Sequence, residues 1–206
     1  LVRDSSGPMS AIEDDTKGGF NSFVGEQREE EGTATVTLYD FNTEVTLLYE
    51  AIPIAETPKL TNENYTPGGQ TALHDALSTA IKGTDDQVQT LPDSDRPENV
   101  IVVTLTDGKE NASETPQDQV RELVEQYREE RDWEFLFIGA NQDAALTAEQ
   151  MGMDSDKSLN MSPSGEGAQA AYDSTSQAIS NARETGQTGG YDESDRQRQR
   201  DIDDTA

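Results

Sequence analysis

The sequence has no cysteine, a single histidine, one tryptophan and only 15 lysine and arginine residues among 206. Without cysteine there is neither a disulfide framework nor a thiolate metal site, and the redox compartment is left undetermined. No Ser–His–Asp set can be built convincingly around His74 alone. No phosphate loop of the G-x-G-x-x-G or G-K-[ST] kind is present. No apolar run approaches the ~20 residues of a membrane-spanning helix, so membrane insertion is not expected. The shortage of positive charge is set against 42 acidic residues, for a net charge of −27. Such a surface repels nucleic acid and anionic lipid, and neither is expected as a partner.

What is present reads as one folded domain with an acidic surface. The acids lie mostly between clear hydrophobic segments, although apolar residues are only 32% of the chain. Leu1, Val2 and Arg3 form a short stub of a first strand. Residues 11–31 place Ile12, Thr16, Phe20, Phe23, Val24 and Gln27 on one helical face, with Gly18-Gly19 weakening the pattern. TATVTLYDF (33–41) alternates strictly and is followed by EVTLLY (44–49), which together predict an antiparallel hairpin. TALHDALSTAI (71–81) has helical spacing, and NVIVVTLT (99–106) is a strand buried on both faces. Thr115-Pro116 opens a helix, WEFLFIGA (133–140) is a further buried strand, and a short helix follows near 143–151. A brief run surrounds Leu159, and Ser164 starts a last helix reaching Ala182. Alternating helices and strands predict an α/β fold: a doubly wound, mostly parallel sheet with one antiparallel edge strand and helices on both faces. The domain is expected over 1–185. From Gly186 to Ala206 the chain has no apolar period and is expected to be a mobile tail.

In such sheets the ligand crevice lies at the carboxyl ends of the strands, near a switch point. Three polar loops fall there: 4–10, 66–71 and 107–113. They offer Asp4 and Ser6 from DSSGPM, Thr71 from GGQTAL and Asp107 from LTDGKEN. A hard divalent cation takes about six oxygens near ~2.1 Å, some of them waters. Two carboxylates with neutral hydroxyls would hold Mg²⁺, or Mn²⁺ or Ca²⁺, and leave it electrophilic toward an incoming carboxylate. Taken singly, each residue has a structural role available: Asp4 as a strand-end turn former, Ser6 and Thr71 as helix caps, Asp107-Gly108 as a tight turn. His74 is expected on the flank of its helix. Asn64, Asn111 and Asn160 each begin an N-glycosylation pattern.

DSSGPM, GGQTAL and VVTLTDGKEN, in this order and at these separations, resemble the von Willebrand factor A domain and its metal-ion-dependent adhesion site. The resemblance runs from Asp4 to about Ala182. DDTKGGFNSFV, FLFIGANQDA and GEGAQAAY look like compact, stand-alone microbial and phage members. It implies metal ligation by Asp4, Ser6, Thr71 and Asp107, and a non-enzymatic adhesion or assembly module. A partner protein would present an acidic side chain to the ion across a rim of Ser5, Gly69, Gln70, Lys109 and Glu110. The motif's second serine falls on Pro8, which has no hydroxyl; this implies a centre that is weakened, with water filling one place, or one that is dead and left as a scaffold. Arg3 is a second departure, because the residue before the motif's Asp normally lies in a buried strand. Two other readings stand beside this one. A structural subunit of a surface layer, filament or virion would need no working metal site. A Mg²⁺-dependent phosphatase would use Asp4 as nucleophile and Lys109 on phosphate, but it wants an acid where Ser6 stands. The acidic balance also resembles that of proteins from salt-loving organisms.

Overall fold

The computed structural model describes residues 1–140 and 143–205; Asn141 and Gln142 of the FLFIGANQDA stretch, and Ala206, lie outside them. The sheet has six strands: β1 (Val2–Asp4), β2 (Thr35–Phe41), β3 (Val45–Pro53), β4 (Ile101–Thr106), β5 (Glu134–Ala140) and β6 (Ser158–Met161). Their order is β3-β2-β1-β4-β5-β6, and every pairing is parallel except β2 with β3. This is the α/β, doubly wound arrangement expected from the alternating elements. The β2–β3 hairpin is longer than EVTLLY alone, because β3 continues to Pro53.

Helices cover both faces. On one lie α1 (Glu13–Glu29) and α5 (Gly165–Thr185), on the other α2 (Leu73–Thr90), α3 (Gln117–Arg131) and α4 (Ala144–Gln150). Alternation along β5 feeds the two cores: Leu136 and Ile138 pack with Phe20, Phe23 and Tyr172, while Phe135 and Phe137 pack with Leu73, Leu77 and Val124. α1 opens with Glu13, Asp14 and Asp15 and closes with Arg28, an order favoured by the helix dipole. The glycine that weakened its pattern has a packing reason. A Cβ on Gly19 would stand 2.2 Å from the Tyr172 ring, so α1 and α5 approach only through glycine.

The expected mobile tail is corrected by a sixth helix, α6 (Glu193–Asp203), which packs on α5 and β6. Asp192 and Asp195 form a reciprocal capping box at its start. Tyr191, Gln199 and Ile202 are buried. Gln199 accepts from the Ser162 amide at 2.9 Å and donates to the Gly167 carbonyl at 3.0 Å. Arg196 donates to the carbonyl of Ser158 at 2.7 Å and to that of Asp156 at 3.1 Å. The helix is held largely by polar groups closing backbone hydrogen bonds at the β6 edge. Such a face carries almost no hydrophobic period, which is why the sequence pattern missed it.

Candidate metal centre

β1 and β4 lie side by side at the centre of the sheet, where the winding direction reverses. β1 ends at Asp4 and β4 at Thr106, so both strands open onto the same edge. Asp4 is fully buried. Its Oδ1 accepts the Ser6 amide at 2.6 Å, and its Oδ2 accepts the Thr106 hydroxyl at 2.6 Å and the Gly108 amide at 3.3 Å. Burial raises the Asp4 carboxyl pKa, and the hydrogen bonds from Thr106, Ser6 and Gly108 only partly offset it. Asp107 is buried between Thr106 and Gly108, both of which touch the Asp4 carboxylate.

The second loop arrives from the hairpin side. Gly68 donates to the Ser5 carbonyl at 2.8 Å, and Gly7 donates to the Gly69 carbonyl at 3.1 Å. Thr71, itself buried, donates its hydroxyl to Ser6 Oγ at 3.0 Å. Asn111 of the third loop brackets Thr71: its Oδ1 accepts the Thr71 amide, and its own amide donates to the Thr71 carbonyl, both at 3.0 Å. A Cβ on Gly108 would stand 2.3 Å from Thr71 Oγ1 and 3.0 Å from Ser6 Oγ. Oxygens from residues 4, 6 and 71 thus meet beside the backbone of 107–108.

Rim residues fare differently. Gly69, Gln70 and Lys109 are exposed around the centre. Ser5 is buried and donates its hydroxyl to the Phe41 carbonyl at 3.0 Å, so it is not a rim residue. Glu110 also turns inward. It accepts the amides of His74, Ala112 and Ser113 and the Ser113 hydroxyl, at 2.7–3.0 Å. Burial works against its charge, but the bonds from Ser113, His74 and Ala112 outweigh burial and hold its carboxyl below the usual range. His74 is half-buried on the flank of α2. Pro8 is exposed in the 3₁₀ turn Gly7–Ile12, where its fixed φ suits the start of a helix. Its ring brings no oxygen to the centre.

Three supporting residues escaped the sequence reading: Thr106, Asn111 and Tyr65. Tyr65, buried in the connector before α2, donates its hydroxyl to the Asp4 carbonyl at 2.8 Å. The Arg3 guanidinium lies 4.5 Å from the Tyr65 ring centroid and 5.5 Å from that of Phe20. It also clasps Asp40 through two bonds of 2.5–2.6 Å. Arg3 therefore sits in a buried strand after all, with its charge paired by the neighbouring strand. The asparagines of all three glycosylation patterns are engaged internally, Asn64 on Thr61 and Lys59, Asn111 on Thr71 and Asn160 on Ala144.

Among the described residues no three His, Cys, Asp or Glu side chains converge to hold a metal. What the structure brings together is one buried carboxylate, that of Asp4, with the hydroxyls of Ser6, Thr71 and Thr106 close by; oxygen donors of this kind suit a hard cation rather than a soft one. Cis ligands of a six-coordinate Mg²⁺ at about 2.1 Å stand about 3.0 Å apart. Ser6 Oγ and Thr71 Oγ1 already have that separation, at 3.0 Å.

No protein-family model matches the chain, and no curated protein sequence matches it. Among solved structures, it is similar to proximal thread matrix protein 1 from the mussel byssus in two crystal determinations. One has a TM-score of 0.61 at 17% identity over 85% of this chain, the other 0.59 at 15% over 87%. The chain spans less than half the length of those neighbours, 45% and 44%. The likeness supports a fold of the von Willebrand factor A type.

Proposed function

We propose that this chain is a non-enzymatic adhesion or assembly module that holds a Mg²⁺-type cation at the carboxyl edge of its sheet. Asp4, Ser6, Thr71 and Asp107 would hold the ion, and an acidic side chain of a partner protein would complete its coordination. The observation that carries this reading is the 3.0 Å approach of Ser6 and Thr71 hydroxyls beside the buried Asp4 carboxylate. A buried carboxylate whose pKa is raised by desolvation gains most from a neighbouring cation. Binding would exchange the Ser6–Thr71 hydrogen bond for two oxygen–cation contacts. With Pro8 in place of a hydroxyl, water fills the remaining position. Exposed Gly69, Gln70 and Lys109 border the approach.

Calorimetric titration with Mg²⁺ and Mn²⁺ tests the reading. The parent chain binds, Asp4→Asn abolishes binding, and Pro8→Ser tightens it. No heat from the parent with Mg²⁺, Mn²⁺ or Ca²⁺ removes the reading. Capture on an immobilised glutamate-rich peptide, reversed by chelator, tests the partner step.

A structural-subunit reading draws on the byssus neighbours, which are matrix proteins by name. Assembly that proceeds equally with chelator present favours it. Phosphatase chemistry is the weaker alternative. It wants an acid two residues after Asp4; Ser6 stands there and donates its amide to Asp4.

A further inference from the structure

The two edges of the sheet are treated differently. At β6, Gln199 and Arg196 of α6 close the edge. At the other end β3 pairs, among the described residues, only with β2. Its first half carries Leu47 and Leu48, exposed by 44% and 41%. The register moves from Tyr39↔Leu47 to Leu38↔Tyr49, so Leu48 is the extra residue of a bulge. Thr46, Leu47 and Leu48 are exposed in succession, so the two leucines stand together on the surface of the edge strand.

The rest of the strand limits what can pair there. Ala51 has φ 46°, its amide turns to Thr37 Oγ1 at 2.9 Å, and Pro53 closes the strand. These features end the open ladder after Tyr49, leaving room for one short strand rather than unlimited pairing. Val45–Tyr49 carries no charge, exposed Glu44 and Glu50 bracket it, and β3 has none of the lysines that usually guard an edge.

We propose that the Val45–Tyr49 edge of β3 is a strand-docking site for an extended polypeptide segment with an apolar centre and Lys or Arg at its flanks. Main-chain hydrogen bonds would supply the pairing, Leu47 and Leu48 the contact, and Glu44 and Glu50 the choice of flanks. A second copy of this chain fits poorly. Antiparallel pairing about Leu47 would set Glu44 of each copy opposite Glu50 of the other, between chains of −27 each. Like charges directly opposite destabilise a strand pair. The pairing uses none of Asp4, Ser6, Thr71 and Asp107, although the turn before β3 touches the second loop through Gln70 and Thr43.

The test uses a labelled peptide, Lys-Val-Thr-Val-Thr-Val-Lys, and its counterpart with Glu at both ends, followed by anisotropy at low salt. Hydrogen exchange reports protection along the chain. The Lys-flanked peptide is expected to bind, to protect amides 45–49 and to weaken as KCl rises. Leu48→Glu should weaken it by at least about tenfold, with an unchanged melting temperature, and chelator should leave it intact. Equal binding of the two peptides, binding of neither, protection elsewhere, or loss of binding with chelator overturns the proposal. So does a dimer seen by sedimentation without peptide and dissolved by Leu48→Glu.

Discussion

At Gly108 the third loop packs tightly against Thr71 and Ser6. A methyl there would lie 2.3 Å from Thr71 Oγ1, with both Thr71 and Ser6 buried behind it. Gly108→Ala should push the second loop away, abolish cation binding and cost about 1–3 kcal/mol, measured by denaturant unfolding and Mg²⁺ titration. Beneath the centre, Asp40 is the partner of a buried arginine. Asp40→Asn leaves Arg3 uncompensated and should cost about 3 kcal/mol in the same unfolding measurement. The sequence marks Asp4, Ser6, Thr71 and Asp107 because each is an oxygen donor in a polar loop beside a recognisable element. Arg3 looked out of place because its partner is 37 residues away on β2.

At the scale of elements, α6 is the part least visible in sequence and the easiest to test. Tyr191 is buried and its hydroxyl meets Thr175 Oγ1 at 2.9 Å. Tyr191→Ala should cost about 3 kcal/mol by denaturant unfolding; an unchanged midpoint would mean that α6 is not docked in solution. Glu134, at the start of β5, ties that strand to the segment before α6. It accepts the Thr188 amide at 2.9 Å and hydroxyl at 2.6 Å and pairs with Lys157. Burial opposes its charge, but Lys157 and Thr188 prevail, and its pKa falls below the ordinary 4.5. A depressed carboxyl stabilises the fold above its unfolded pKa, and that stability is lost as pH falls through the folded value. Glu134→Gln should therefore lower the melting temperature at neutral pH, with the gap to the parent closing in acid.

Over the whole molecule the charge of −27 acts as self-repulsion spread across the surface. Salt screens it: the Debye length falls from about 10 Å at 0.1 M to about 3 Å at 1 M. The melting temperature is expected to climb as KCl rises from dilute to molar, followed by calorimetric scans. A flat response would show that the carboxylates serve solubility without repelling one another enough to matter. The same charge shapes association. Under the proposed function, an acidic partner would have to cross a repulsive field to reach the cation, with exposed Lys109 beside its path.

By itself the sequence determined the order and type of the elements from β1 to α5 and the doubly wound sheet they build. Periodicity records which side of each segment meets apolar neighbours, and that is enough to stack helices on a parallel sheet. Only the tertiary structure decided that Ser5 and Glu110 turn inward, that Arg3 is buried against Asp40, that Leu48 falls on a bulge, and that α6 docks. Each of these rests on hydrogen bonds, ion pairs or strand register between distant segments. Such pairings are set by where backbone groups are left unsatisfied after the sheet closes, and no local pattern of residues announces them.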